Sequence, residues 1–177
     1  EEDIKKYKSI LEAESYDMYE EMVQLECNFW VKNPANLTAS KLDECADIYG
    51  KAVLVFGDSH AMNLYNIYAL SNRHPFLIGI SQGGCRPHDG EKVCHYEALP
   101  DFLIKNDRLI SYVIFHQSGS YFIRDSQGKL DSQKAFDGDF AGFDKLNIDR
   151  TINYLNKLIL DTNSKVLWVG PFPEYRR

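Results

Sequence analysis

The chain has 177 residues and a formal net charge of −6, from 26 Asp and Glu against 20 Lys and Arg, with 44 % apolar and 26 % charged residues. That is the size and composition of one globular domain with a core of its own, not of a disordered segment. The acidic balance without a Lys/Arg run argues against a nucleic-acid partner, and the lack of any apolar run near ~18 residues argues against a membrane span in this chain.

Along the chain, Glu1-Glu2-Asp3 does not begin a signal peptide, so an export signal is expected outside these residues. Ile4, Tyr7, Ile10, Leu11, Met18, Met22 and Val23 recur at near-helical spacing and predict a helix over residues 3–25, with Pro34 ending any continuation. Another helical turn or two is expected within Ala39–Asp47. Residues 1–47 read as an N-terminal helical extension and 48–177 as the main domain. Ala52–Phe56, bounded by Gly50 and Gly57, is apolar on both faces, as a central parallel strand covered by helices must be. A helix follows over Ala61–Leu70, then a second strand over Phe76–Ile80 and a loop with Gly, Cys and Pro over Ser81–Pro100. A short helix at Asp101–Asn106 leads to a third strand, Tyr112–Phe115. Residues 117–143 are turn-rich, with a hairpin around Ser126-Gln127-Gly128. An amphipathic helix spans Asp144–Leu160, and a fourth strand, Lys165–Val169, is closed by Gly170-Pro171.

This alternation predicts right-handed crossovers and an open α/β parallel sheet. Ligands of such sheets bind outside the carboxyl ends of the strands. That rule selects Gly57–His60, Ser81–Cys85, His116–Ser120 and Gly170–Pro173, where the polar residues and glycines gather.

The cysteines are Cys27, Cys45, Cys85 and Cys94, with no CxxC and no ligand spacing for zinc, so no metal is expected. Four cysteines allow three connectivities. The sequence-local pairing Cys27–Cys45 and Cys85–Cys94 is favoured over four reduced thiols, and it places the chain in an oxidising compartment. The Asn36-Leu37-Thr38 sequon carries little weight.

Gly57-Asp58-Ser59-His60 follows the first central strand and opens a helix. Gly57 permits a sharp turn, and Ser59 then lies where free backbone N–H groups and the positive dipole end can stabilise an oxyanion. An ordinary helix N-cap has the same residue types, and only the position after the apolar strand tips the reading toward a nucleophile. Asp58 reads as a structural residue of the turn. His60, adjacent to Ser59 on the helix, points away from it and reads as structural support. His116, at a strand end, is a weaker candidate for contact with Ser59. Arg86 and Arg124 read as loop arginines before they read as ligands for an anionic sugar.

Phe56-Gly57-Asp58-Ser59-His60-Ala61 resembles the first block of the SGNH/GDSL hydrolase superfamily. With Gly83-Gly84-Cys85-Arg86-Pro87 and Trp168-Val169-Gly170-Pro171-Phe172-Pro173, the chain looks most like the SGNH domain fused to membrane acyltransferase-3 proteins, which O-acetylate bacterial surface polysaccharides. The resemblance covers about residues 45–173. It implies a flavodoxin-like three-layer α/β/α sandwich with a parallel sheet, no cofactor, and a periplasmic or otherwise extracytoplasmic setting tethered to the inner membrane. It implies Ser59 as nucleophile, with an oxyanion hole from the Ser59 N–H and from Gly83 or Gly84. Gln117 stands where the family often has an Asn donor. It also implies an acetyl donor passed from the membrane acyltransferase domain and a polysaccharide acceptor. The family's Asp-x-x-His is not present, so a C-terminal part of the domain is expected beyond Arg177. The rival readings are a carbohydrate esterase, a non-catalytic glycan-binding or docking domain, and a cytosolic flavodoxin-like nucleotide binder, which would need a phosphate loop the sequence lacks.

Overall fold

The computed structural model describes residues 17–89, 94–130 and 133–170. Seven strands are present among them: β1 (Asn28–Val31), β2 (Ala52–Gly57), β3 (Leu77–Ser81), β4 (Ile110–His116), β5 (Ile123–Asp125), β6 (Phe140–Phe143) and β7 (Val166–Trp168). The helices are α1 (Ala39–Tyr49), α2 (Ser59–Ser71), α3 (Leu99–Lys105), α4 (Gln133–Phe136) and α5 (Lys145–Thr162). Five strands form one parallel sheet in the order β1-β3-β2-β4-β7, while β5 and β6 pair antiparallel outside it.

The unbroken apolar runs of the sequence have their cause here. Every residue of β2 and β3 is buried, because helices cover both faces. On one face Leu54, Phe56, Ile78, Ile80, Val113 and Phe115 pack against Leu42 of α1, Leu99 and Leu103 of α3, and Leu155 and Leu158 of α5. On the other, Val53, Val55, Leu77 and Ile114 meet Ala61, Met62, Tyr65 and Ala69 of α2. Each large side chain so buried stabilises the fold by roughly 1.5–3 kcal/mol. The result is the three-layer α/β/α sandwich with a parallel sheet.

The predicted central strands and long helices match to within about two residues at most ends, and two features differ more. The sheet starts at Asn28, upstream of the boundary drawn at residue 48, because β1 pairs with the outer side of β3. Only three apolar residues in a row mark that strand, and β1 is held by its neighbours rather than by its own pattern. The helix predicted over 3–25 falls partly outside the described residues, and residues 17–25 are turn and extended chain. Part of their hydrogen bonding crosses to α2 instead: Asn66 Oδ1 accepts the Val23 N–H at 3.0 Å, and Tyr65 donates its hydroxyl to the Val23 carbonyl at 2.9 Å. Met22 is buried beside them. The predicted hairpin is a tight turn in which the Gly128 N–H reaches the Asp125 carbonyl at 2.8 Å, but the lasting partner of β5 is β6.

The disulfides are Cys27–Cys45 and Cys85–Cys94, the sequence-local pairing. Cys27–Cys45 staples the start of β1 to α1 across a separation of 18 residues. In the chain-entropy model a loop of that size stabilises by about 3 kcal/mol. The double variant Cys27→Ser/Cys45→Ser is expected to lose about that much in urea unfolding; an unchanged midpoint would mean that packing alone holds β1 in place.

Candidate active site

Four loops meet at the carboxyl edge of the sheet, and Gly57 begins the first. It pairs with Ser81 on one side and His116 on the other. Its φ is +140°, and a Cβ there would lie 1.8 Å from the His116 carbonyl oxygen. Only glycine fits a chain that must turn while lying against β4.

Asp58 caps α2. Its Oδ1 accepts the His60 N–H at 2.9 Å, and its Oδ2 accepts the Ser118 N–H at 2.9 Å. One buried carboxylate thus pins the start of α2 to the loop after β4. Burial raises its pKa above the ordinary carboxylate value, opposed by the two N–H bonds and by nearby His60 and Arg86.

Ser59 is the first residue of α2 and is half-buried. The first turn of a helix has N–H groups with no carbonyl of their own helix to bond. Of the two candidate glycines, Gly83 flanks Ser59: a Cβ built on it would lie 4.0 Å from the Ser59 Cβ. Gly84, with φ +74° and nothing within 4 Å of its Cβ position, shapes the turn and faces open space.

The Gly83 N–H donates to the Tyr19 hydroxyl at 3.2 Å. Tyr19 leans on Trp30, with ring centroids 5.8 Å apart, and the Lys32 ammonium lies 3.7 Å above its ring. Trp30 in turn donates to Ser81 Oγ at 3.0 Å. The sequence had no signal for Tyr19, which lies outside the apolar periodicity over residues 3–25.

His116 is buried, and its Nδ1 lies 3.0 Å from the Val169 carbonyl. A carbonyl only accepts, so that nitrogen carries a proton. The His60 ring stands edge-on to it at 5.8 Å. Neither imidazole is hydrogen-bonded to the Ser59 hydroxyl in this structure. Gln117 has no exposed surface, and neither of its amide atoms has a hydrogen-bond partner; in this conformation it presents no N–H to a bound substrate. Arg86 stacks on Tyr121 at 3.7 Å, and Arg124 pairs with buried Asp144. Tyr96, also unmarked in the sequence, donates its hydroxyl to the Gly57 carbonyl from below the turn. Among the described residues no group of three or more His, Cys, Asp and Glu side chains could hold a metal ion.

A serine at a helix start, beside a second turn that carries a backbone N–H, is suited to acyl chemistry: the hydroxyl can attack a carbonyl while N–H groups receive the oxyanion. Searches among curated proteins and among solved structures return no match. Residues 26–177 match the family model described as the SGNH domain fused to AT3 domains. That span takes in the whole parallel sheet, both disulfides and the Gly57–His60 turn, and the chain belongs to this SGNH domain family.

Proposed function

We propose that this domain is an acyl-transfer module in which Ser59 carries an acetyl group to hydroxyls of an extracytoplasmic polysaccharide. The observation that carries the reading is Ser59 at the start of α2 with Gly83 alongside it. In the first half-reaction Ser59 Oγ attacks the acetyl carbonyl carbon and gives up its proton, and the donor's heteroatom leaves with a proton. In the second, a sugar hydroxyl attacks the acetyl-serine, the Ser59 C–O bond breaks, and Ser59 recovers a proton. The backbone N–H groups of Ser59 and Gly83 receive the oxyanion both times. The fusion described for the family supplies the donor side, a membrane acyltransferase domain. The two disulfides fit an oxidising setting outside the cytoplasm. Water in place of the sugar makes the same site an esterase.

A fluorophosphonate probe tests the nucleophile. The adduct is expected on the peptide that contains Ser59 and nowhere in Ser59→Ala; no adduct on the wild-type peptide would refute the assignment. Acetylated oligosaccharide, read by mass spectrometry after addition of 4-nitrophenyl acetate, separates transfer from release of acetate alone.

In the resting structure Tyr19 sits on the N–H that this reading assigns to the oxyanion. A hydrogen bond of this kind is worth about 0.5–1.5 kcal/mol, so Tyr19→Phe is expected to raise kcat/KM for a small acetyl ester by roughly 2–10-fold. A fall would instead make the tyrosine hydroxyl a helper of the reaction.

A further inference from the structure

We infer that Tyr96 is the positioning residue that sets the distance between the Ser59 turn and the Gly83 turn. This inference rests on the reading of Ser59 as nucleophile and Gly83 as oxyanion donor, and names the part that holds them in register.

Tyr96 begins a short 3-10 helix, Tyr96–Ala98, and is 4 % exposed. Its hydroxyl donates to the Gly57 carbonyl. Gly57 stands two positions before Ser59, and Gln82 stands one position before Gly83. The β2–β3 ladder ends at the pair Gly57–Ser81. Beyond it the two chains diverge into their turns, and the direct Gln82 N–H to Gly57 carbonyl distance has already stretched to 3.4 Å. The phenol bonds the Gly57 side of that widening wedge, at the same carbonyl that the Gln82 N–H reaches from the other side.

The other end of Tyr96 is fixed covalently. Cys94, two residues before it, is bonded to Cys85, two residues after Gly83. The Cys85 N–H bonds the Gln82 carbonyl at 3.1 Å and closes that turn. One circuit therefore joins the two turns: the Tyr96 phenol bonds Gly57, and the disulfide two residues before Tyr96 holds the far side of the Gly83 turn. Burial pushes the Tyr96 hydroxyl far above the ordinary phenol pKa, so it keeps its proton and remains a donor to Gly57 at any working pH.

The Tyr96 hydroxyl bonds a backbone carbonyl two positions from Ser59. Without its hydroxyl, the Gly57 carbonyl loses its tie to the disulfide-held side, which leaves Gly83 free to shift relative to Ser59. Small displacements of this kind cost rate more than binding, up to about 100-fold for a misplacement near 1 Å.

The test compares Tyr96→Phe with Tyr154→Phe, which removes a buried hydroxyl that has no hydrogen-bond partner. With 4-nitrophenyl acetate, Tyr96→Phe is expected to lower kcat by about 10-fold with KM within about 2-fold, while Tyr154→Phe keeps both. The variant Cys85→Ser/Cys94→Ser is expected to lower kcat in the same direction. Hydrogen exchange gives a readout independent of turnover: the Gln82 and Gly83 amides should exchange faster in Tyr96→Phe and not in Tyr154→Phe. Wild-type kcat in Tyr96→Phe, or unchanged exchange at Gln82 and Gly83, overturns the inference. Fluorophosphonate labelling of the wild type keeps the two ideas apart. Absence of the Ser59 adduct defeats the nucleophile assignment, while the exchange comparison still decides whether Tyr96 ties the turns.

Discussion

Ser59→Ala is expected to lower kcat for an activated acetyl ester by about 10⁴-fold or more, the scale seen when a serine nucleophile is removed from a working site. The residual rate would come from the backbone N–H groups of the turn, which the substitution leaves in place. Stability should hardly change. Asp58, not Ser59, provides the cap of α2, and Ser59 stands at the first helical position, where alanine is well tolerated. The unfolding free energy is expected to stay within about 0.5 kcal/mol of the parent, as for a change away from the core. Parallel measurement of ester turnover and thermal midpoint checks this. Undiminished turnover in a folded Ser59→Ala protein would remove Ser59 from the chemistry and leave the turn as a plain strand–helix connection.

Gly57→Ala should have the largest effect on the fold among alanine substitutions of the described glycines. The new carbon would stand 1.8 Å from the His116 carbonyl oxygen, and a backbone atom in a paired strand cannot swing aside as a side chain would. Relief requires moving β4 away from β2 at the point where Gly57 and His116 are paired. Overpacking costs roughly 1–3 kcal/mol, and holding a non-glycine residue at a left-handed φ adds roughly 1–3 kcal/mol. A loss of about 3–5 kcal/mol in chemical unfolding is expected, together with loss of Ser59 labelling in the fraction that stays folded. Parental stability would mean that the turn relaxes into another conformation, and the packing account given above would be wrong.

The central sheet was legible because β2, β3 and β4 are buried on both faces, and burial writes itself into the sequence as unbroken apolar runs. β1 left no such mark. Asn28-Phe29-Trp30-Val31 is an edge strand whose place depends on pairing with β3 and on a disulfide, both decided elsewhere in the chain. The site divides along the same line. Gly57, Asp58 and Ser59 are contiguous, and their position after an apolar strand was enough to nominate them. The choice between Gly83 and Gly84 needed the direction each faces, which a sequence does not carry. Tyr96 lies 39 residues from Gly57 and Tyr19 lies 64 from Gly83, so their hydroxyls reach the site only through the folded chain. Gln117 shows the converse: its place after β4 drew attention to it, but it lies in a run buried from Phe115 to Ser118, with no exposed surface.

The contact between Tyr19 and Gly83 has a practical side. The family match begins at residue 26, so the residue seated on the Gly83 N–H lies upstream of everything that defines the family. A protein trimmed to start at Glu26 would keep the sheet, both disulfides and the Ser59 turn, and would still hold the whole span of the family match. Its Gly83 would nevertheless be bare. Rates taken from the trimmed and the longer protein would not be interchangeable, and the choice of first residue belongs among the variables of any assay.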